Sequence, residues 1–199
     1  VASADDLKRV VLDAASAVYA RQGYVNTTVK VVAAAAGVAP DVVRRYYDSR
    51  DELVAAVLRL PTDPASAVAQ LMAPGIDGLG ERLVRFTLQM LGQPETRELI
   101  ATMVRDGAGA AKATASLREF FEEAIIDRIA TALRVPDARM RVTLAASYLL
   151  GVATSRYLMR LEPLASASED DVVRLVAPAV QAALSGTRSS FRSGLRRDT

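Results

Sequence analysis

Residues 27–53 read TTVKVVAAAAGVAPDVVRRYYDSRDEL, and local signals divide this stretch into three short helices. Thr27-Thr28 stands before an apolar run, the position of a helix N-cap. Val29, Val32, Ala33 and Ala36 then recur at helical spacing and form one buried stripe. Gly37 ends that helix after about two turns, because glycine tolerates the left-handed conformation of a helix stop. Pro40 suits the first turn of the next helix, which runs to about Tyr46. Ser49-Arg50-Asp51-Glu52 is a capping box, with Ser49 as cap and Glu52 three residues on. That third helix reaches Leu60, and Pro61 stops it. Two short helices joined by a tight turn form a helix-turn-helix unit, whose second helix can enter a DNA major groove.

The side chains of the second helix fit that role. Val43 and Tyr47 stand four apart and point inward, while Arg44, Arg45 and Tyr46 point outward. Arginine matches guanine O6 and N7, and Asp41, in the first turn beside Pro40, can accept from cytosine N4. Thr27, Thr28, Lys30 and Tyr46 can donate to phosphates. Arg50, at the start of the Ser49-capped helix with its free N–H groups, makes a phosphate anchor.

Upstream, Ser3 and Asp6 open a helix over 3–22. Leu7, Val10, Val11, Ala14 and Val18 line one of its faces, and Gly23 closes it. Downstream, Pro61, Pro64, Pro74, Gly75 and Gly78 mark 61–78 as a linker region, with a helical turn or two at Ala65–Met72. Further helices are expected at 79–91, 95–106, 114–134, 138–161 and 169–185. The helix at 138–161 is apolar on most sides and is expected to be buried nearly all round. Residues 186–199 are rich in Ser, Gly and Arg and read as a basic flexible tail.

Composition agrees with an all-α chain. Of 199 residues, 51% are hydrophobic and 36 are Ala, with only 8 Pro and 11 Gly. The net charge is +2, but Arg188, Arg192, Arg196 and Arg197 against Asp198 give the last 12 residues +3, leaving −1 for the rest. Charge alone therefore does not argue for nucleic acid. With 0 His and 0 Cys, the Ser-His-Asp and Cys-His nucleophiles, disulfides and ordinary zinc sites are excluded. Gly107–Thr114 lacks the glycine before Lys112 that a phosphate loop needs, and no strand precedes it. No enzyme activity, metal or cofactor is expected. No apolar run approaches the ~20 residues of a membrane span, and the polar, acidic start does not read as a secretory signal. A cytoplasmic protein with no membrane partner is expected.

Residues 10–58 resemble the DNA-binding domain of the TetR family of bacterial transcriptional regulators. The stretches that carry the resemblance are Val11–Ala15, Tyr19–Tyr24, Thr27–Val29, Val32–Val38 and Tyr46–Leu53, in order and at matching spacing. Arg156–Leu158 through Glu162–Ala165 is similar to the end of the penultimate helix of some actinobacterial members. The resemblance implies a helix-turn-helix reader over 1–60 and a helical ligand-binding and dimerisation domain over 79–185. It implies DNA contacts from Thr27, Thr28, Arg44, Arg45, Tyr46 and Arg50. The sequence departs from the family pattern at Ala39, where Ser or Thr usually caps the reading helix, at Arg44-Arg45, and at Asp41.

The helices 138–161 and 169–185 resemble the family's intersubunit four-helix bundle. Gly151, Ser155, Leu158, Val172, Leu175, Val176 and Ala179 are the candidate interface. The alternative is that both helices belong to the core of one subunit. Candidates for a small-molecule pocket are Phe86, Met90, Met103, Phe120, Phe121, Tyr148 and Arg156, although Met and Phe at helical spacing serve equally well as plain core. Without His or Trp, a mostly apolar ligand is expected. The resulting reading is a homodimeric repressor, released from a double-stranded DNA operator by a small-molecule effector. The alternative is a helical ligand-binding or protein-interaction module that has lost DNA binding.

Overall fold

The computed structural model describes residues 4–94 and 111–185, and every regular element among them is helical. Helix α1, Ala4–Asn26, is broken at Gly23, whose φ of +79° with ψ of −178° is a conformation essentially confined to glycine. Helix α2, Val29–Ala36, begins under Thr28, whose Oγ1 accepts the Val31 N–H at 3.3 Å, and ends at Gly37 with φ +68°. Helix α3, Pro40–Arg44, starts at Ala39 with no side-chain cap bond. Helix α4, Arg50–Val57, has the capping box: Ser49 Oγ accepts the Glu52 N–H at 3.1 Å. The Glu52 carboxylate reaches back to the Asp48 N–H at 2.7 Å, one residue before the cap. Val11, Ala15 and Val18 of α1 pack with Val32, Ala33, Val43, Tyr47 and Leu53 to make the core of this N-terminal unit.

The proline-rich span 61–78 holds a real helix, α5, Pro64–Met72, capped by Asp63 through the Ser66 N–H at 2.9 Å. Its Val68 and Leu71 join the larger core, so this helix is packed rather than a loose connection. Helix α6, Leu79–Gly92, crosses the last helix, α10, Glu169–Ser185, at close range. Gly80 makes the crossing possible: a Cβ there would lie 2.6 Å from the Gln181 backbone nitrogen and 2.7 Å from the Ala177 carbonyl. Gln181 in turn accepts the Gly80 N–H at 2.8 Å. Gly80→Val is expected to destabilise the protein by about 1–3 kcal/mol or more through this backbone clash. A lowered urea midpoint with an unchanged m-value would show it.

Helix α7, Ala111–Phe120, runs through a π-helical turn, Phe121–Ile126, into α8, Asp127–Leu133. The wide turn solves a phase problem. Ser116, Phe120, Ala124 and Arg128 are four apart, and in an α-helix each such step overshoots by about 40°. The π turn absorbs the drift, so this row meets the N-terminal unit: Ser116 lies beside Gly23, Phe120 and Ala124 pack on Tyr24, and Arg128 pairs with Asp51. Ile126, Ile129 and Leu133 face the other way, into the C-terminal core.

Helix α9, Ala138–Ala153, continues through a second π turn, Thr154–Leu158. It is not buried all round. Val142, Ala145, Leu149 and Ala153 face the core, but Met140 and Leu144 on the other side are 62% and 57% exposed. Half of this apolar helix is uncovered in the chain. The helix expected at 95–106 and the basic tail lie outside the described residues.

Candidate nucleic-acid interface

Helix α3 is held from behind. Val43 and Tyr47 are buried in the N-terminal core, as their spacing requires, and Asp41, Arg44 and Arg45 are exposed. Arg44 Nη1 lies 3.1 Å from Asp41 Oδ1, one helical turn back, so Asp41 pairs with Arg44 rather than repelling phosphate. Among the described residues Arg45 and Lys30 have no hydrogen-bond or ion-pair partner, and both are exposed. Pro40 is half-buried at the first turn and supplies shape rather than a polar group.

The other proposed DNA contacts are engaged elsewhere. Thr27 is fully buried, and its hydroxyl donates to the Gly23 carbonyl at 2.8 Å, bridging the break in α1. Thr28 serves as the α2 cap. The Tyr46 hydroxyl donates to the Ala4 carbonyl at 3.0 Å, tying the start of α1 to the reading helix. Arg50 points back into the molecule: it donates to the Val25 carbonyl at 3.2 Å and stacks 4.2 Å above the Tyr24 ring. Its Nη2 also lies 3.8 Å from Glu123. Of the candidates, Lys30 and Arg45 are exposed and, among the described residues, unpaired, and Asp41 and Arg44 are exposed as a pair.

Behind this surface lies a buried seam that the sequence reading missed. Tyr19, Tyr24, Val54, Leu58, Phe120 and Ala124 form an apolar cluster shared by α1, α4 and α7 with its π turn. Asp51 is only 6% exposed, takes a hydrogen bond from the Tyr24 hydroxyl, and lies 2.5 Å from Arg128 Nη2. One signal was available: Asp51, Val54, Ala55 and Leu58 recur at helical spacing, which puts the carboxylate on the buried face of α4.

Burial pushes the Tyr24 hydroxyl up to about 12, helped by its bond to Asp51, while burial and the nearby Glu119 raise Tyr19 to about 12. The folded protein therefore keeps two protons that the unfolded chain releases near pH 10. Their stabilising effect is complete below pH 10 and is lost as the pH climbs towards about 12. Urea unfolding across this range is expected to show a steep alkaline fall that Tyr19→Phe and Tyr24→Phe each flatten.

The small-molecule candidates do not converge. Phe120 is buried in the seam, edge-on to Tyr24 at 5.5 Å, and Phe121 is partly exposed beside it. Tyr148 sits on the uncovered face of α9. Arg156 donates to the Leu164 and Ala167 carbonyls and closes the loop after the second π turn. Phe86 packs against the C-terminal core and Met90 is half-buried on the same helix. Met103 lies outside the described residues. An open groove between α6 and α10 is lined by Arg85, whose charge is met by Glu81 and Asp170, each at 2.9 Å. None of the candidates lines that groove.

The interface candidates divide by helical phase. Val172 and Val176, with Val173, Val180 and Leu184, are buried in the core of this chain. Leu175 is 68% exposed, and Ala179 and Gly151 lie exposed on the outer face. Ser155 and Leu158 are half-buried in the second π turn.

Residues 11–57 match the family model described as "Bacterial regulatory proteins, tetR family", and residues 77–184 match "Tetracyclin repressor-like, C-terminal domain". The chain belongs to the TetR family. A solved TetR-family regulator from Streptomyces coelicolor is 30% identical, over 89% of this chain and 94% of that one, with a TM-score of 0.46. NalD, the secondary repressor of the MexAB-OprM multidrug efflux pump in Pseudomonas aeruginosa, shares the fold at 15% identity, over 90% of this chain and 96% of that one, with a TM-score of 0.50. No curated protein matches the sequence. The TetR-family match covers both units, so the four-helix reader and the C-terminal bundle belong to one regulator architecture. No helix among the described residues is long and apolar enough to cross a membrane.

Proposed function

We propose that this TetR-family regulator is a homodimeric repressor that reads a DNA operator through α3 and leaves it when a small, mostly apolar effector binds the C-terminal unit. The observation that carries the DNA reading is the set of exposed cations on and beside α3: Arg45 and Lys30 unpaired, Arg44 held by one salt bridge, all backed by buried Val43 and Tyr47. Dimerisation is supported by the apolar row Met140, Leu144, Tyr148 and Leu175 on the outer face of α9 and α10. A second copy related by a twofold axis covers such a row with its own. Gly151 stands on that face with nothing within 4 Å of where its Cβ would lie, so no contact inside the protomer calls for glycine. An apolar effector fits a unit whose core is built from Val, Leu and Ile. It would act by favouring a form whose reading helices miss successive grooves, about 34–36 Å apart.

One observation favours the rival reading of a helical module without DNA function: α3 is five residues long and lacks a cap bond. Salt dependence separates the two. The purified protein is mixed with duplexes selected from a random-sequence pool, and binding is followed from low to high salt. Operator binding predicts a log–log slope of about −0.9 for each phosphate neutralised. No binding at low salt would sink the regulator reading.

A further inference from the structure

Two polar contacts of the seam join the N-terminal unit to the C-terminal unit: the buried Asp51 pairs with Arg128 at 2.5 Å, and Arg50 faces Glu123 at 3.8 Å. Asp51 belongs to α4, the helix that follows the reading helix; Arg128 belongs to α8, between Ile126 and Ile129 of the C-terminal core. Tyr24, Arg50 and Glu123 surround this pair, and Glu119 lies beside Tyr19 in the same seam. Tyr24 donates to Asp51, Arg50 stacks on the Tyr24 ring, and Glu123 faces Arg50 at 3.8 Å. The apolar cluster of Tyr19, Val54, Leu58, Phe120 and Ala124 already holds the two units together. Burying a carboxylate there adds little net stability, because the lost hydration offsets the attraction. What the pair adds is direction. Asp51 is held from two sides, by the Tyr24 hydroxyl and by Arg128 Nη2 at 2.5 Å, whereas aliphatic side chains slide past one another.

We infer that Arg128 is a positioning residue for DNA reading: by gripping Asp51 it fixes the angle at which α4, and with it α3, stands on the C-terminal unit. Arg128 reaches Asp51 from the first turn of α8, and Asp51 lies on the buried face of α4. In a dimer the two reading helices must match the half-site spacing, so a loosened angle degrades the choice of spacing before it degrades any base contact. Arg128 is expected to act on geometry and to leave recognition within each half-site alone. The inference rests on the proposed operator binding.

The test uses the full chain as wild type, Arg128→Lys, Arg128→Met and Asp51→Asn. Each is titrated against the selected operator, against versions with the half-site spacing changed by one and two base pairs, and against a single half-site. Wild type is expected to prefer the native spacing. In Arg128→Met that preference falls by about tenfold, with single half-site binding and dimer formation retained. Arg128→Lys keeps the charge but not the reach and shape of the guanidinium, and lies between the two. Asp51→Asn retains an acceptor for Tyr24 and gives a second route to the same reading if Arg128→Met does not fold. An unchanged spacing preference in folded variants overturns the inference and leaves the operator reading intact. Equal weakening on every duplex, half-site included, also overturns it, because it shows a structural role only. Failure of wild type to bind any duplex overturns both readings together.

Discussion

The Arg44→Ala/Arg45→Ala protein is expected to bind its operator at least about 100-fold more weakly than wild type, with the fold and the dimer unchanged. A well-placed arginine on a guanine contributes about 1–3 kcal/mol of discrimination, and a twofold complex loses each such contact twice. Both side chains are exposed and touch nothing in the core, so their removal should leave the melting temperature in place. The two positions are not equivalent. Arg44 is partly neutralised by Asp41, while Arg45 is unpaired, so Arg45→Ala alone should account for most of the loss. Fluorescence anisotropy with a labelled duplex at fixed salt measures this directly. Unchanged affinity would move base reading away from α3.

The second large effect concerns assembly. Leu144→Glu/Leu175→Glu is expected to convert the dimer into a folded monomer and to remove tight operator binding with it. Leu144 and Leu175 are 57% and 68% exposed in one protomer, so replacing them costs the isolated subunit little. In a twofold interface each leucine buries about 1.5–3 kcal/mol of apolar surface and occurs twice. The dissociation constant should then rise by at least about three orders of magnitude. Sedimentation velocity reads the change in mass. Gly151→Ala supplies a control of opposite sign: in a lone helix alanine gains up to about 1 kcal/mol over glycine, but beneath a closely packed partner helix it loses. A variant that remains dimeric would place the interface on another face.

The N-terminal unit was legible because its signals are local. Thr28, Gly37 and Ser49 each act on groups within four residues, and the stripe Val11, Ala15, Val18 needs only helical periodicity. The side chains assigned to phosphate were less legible, because the same donors serve backbone carbonyls equally well. Thr27 meets Gly23, Tyr46 meets Ala4, and Arg50 meets Val25, and residue type cannot separate these from DNA contacts. On α10, apolar residues occupy two faces. The pattern shows both faces but not which one the chain buries in its own core: Val172 and Val176 are buried and Leu175 is exposed. The Asp51–Arg128 pair joins residues far apart in sequence, and only the folded chain brings them together.

The wide turn at Phe121–Ile126 bears on how the length of this chain can change. With one residue fewer inside that turn, the positions of Phe120 and Arg128 become seven apart, two turns of an ordinary helix to within about 20°. The grip on Asp51 and the inward set of Ile126, Ile129 and Leu133 would both stay in phase. The same deletion in the tighter helix that follows would swing Leu133 away from the core by about 100°. The turn is therefore a length buffer: relatives one residue shorter at this point can keep the same geometry between reader and body.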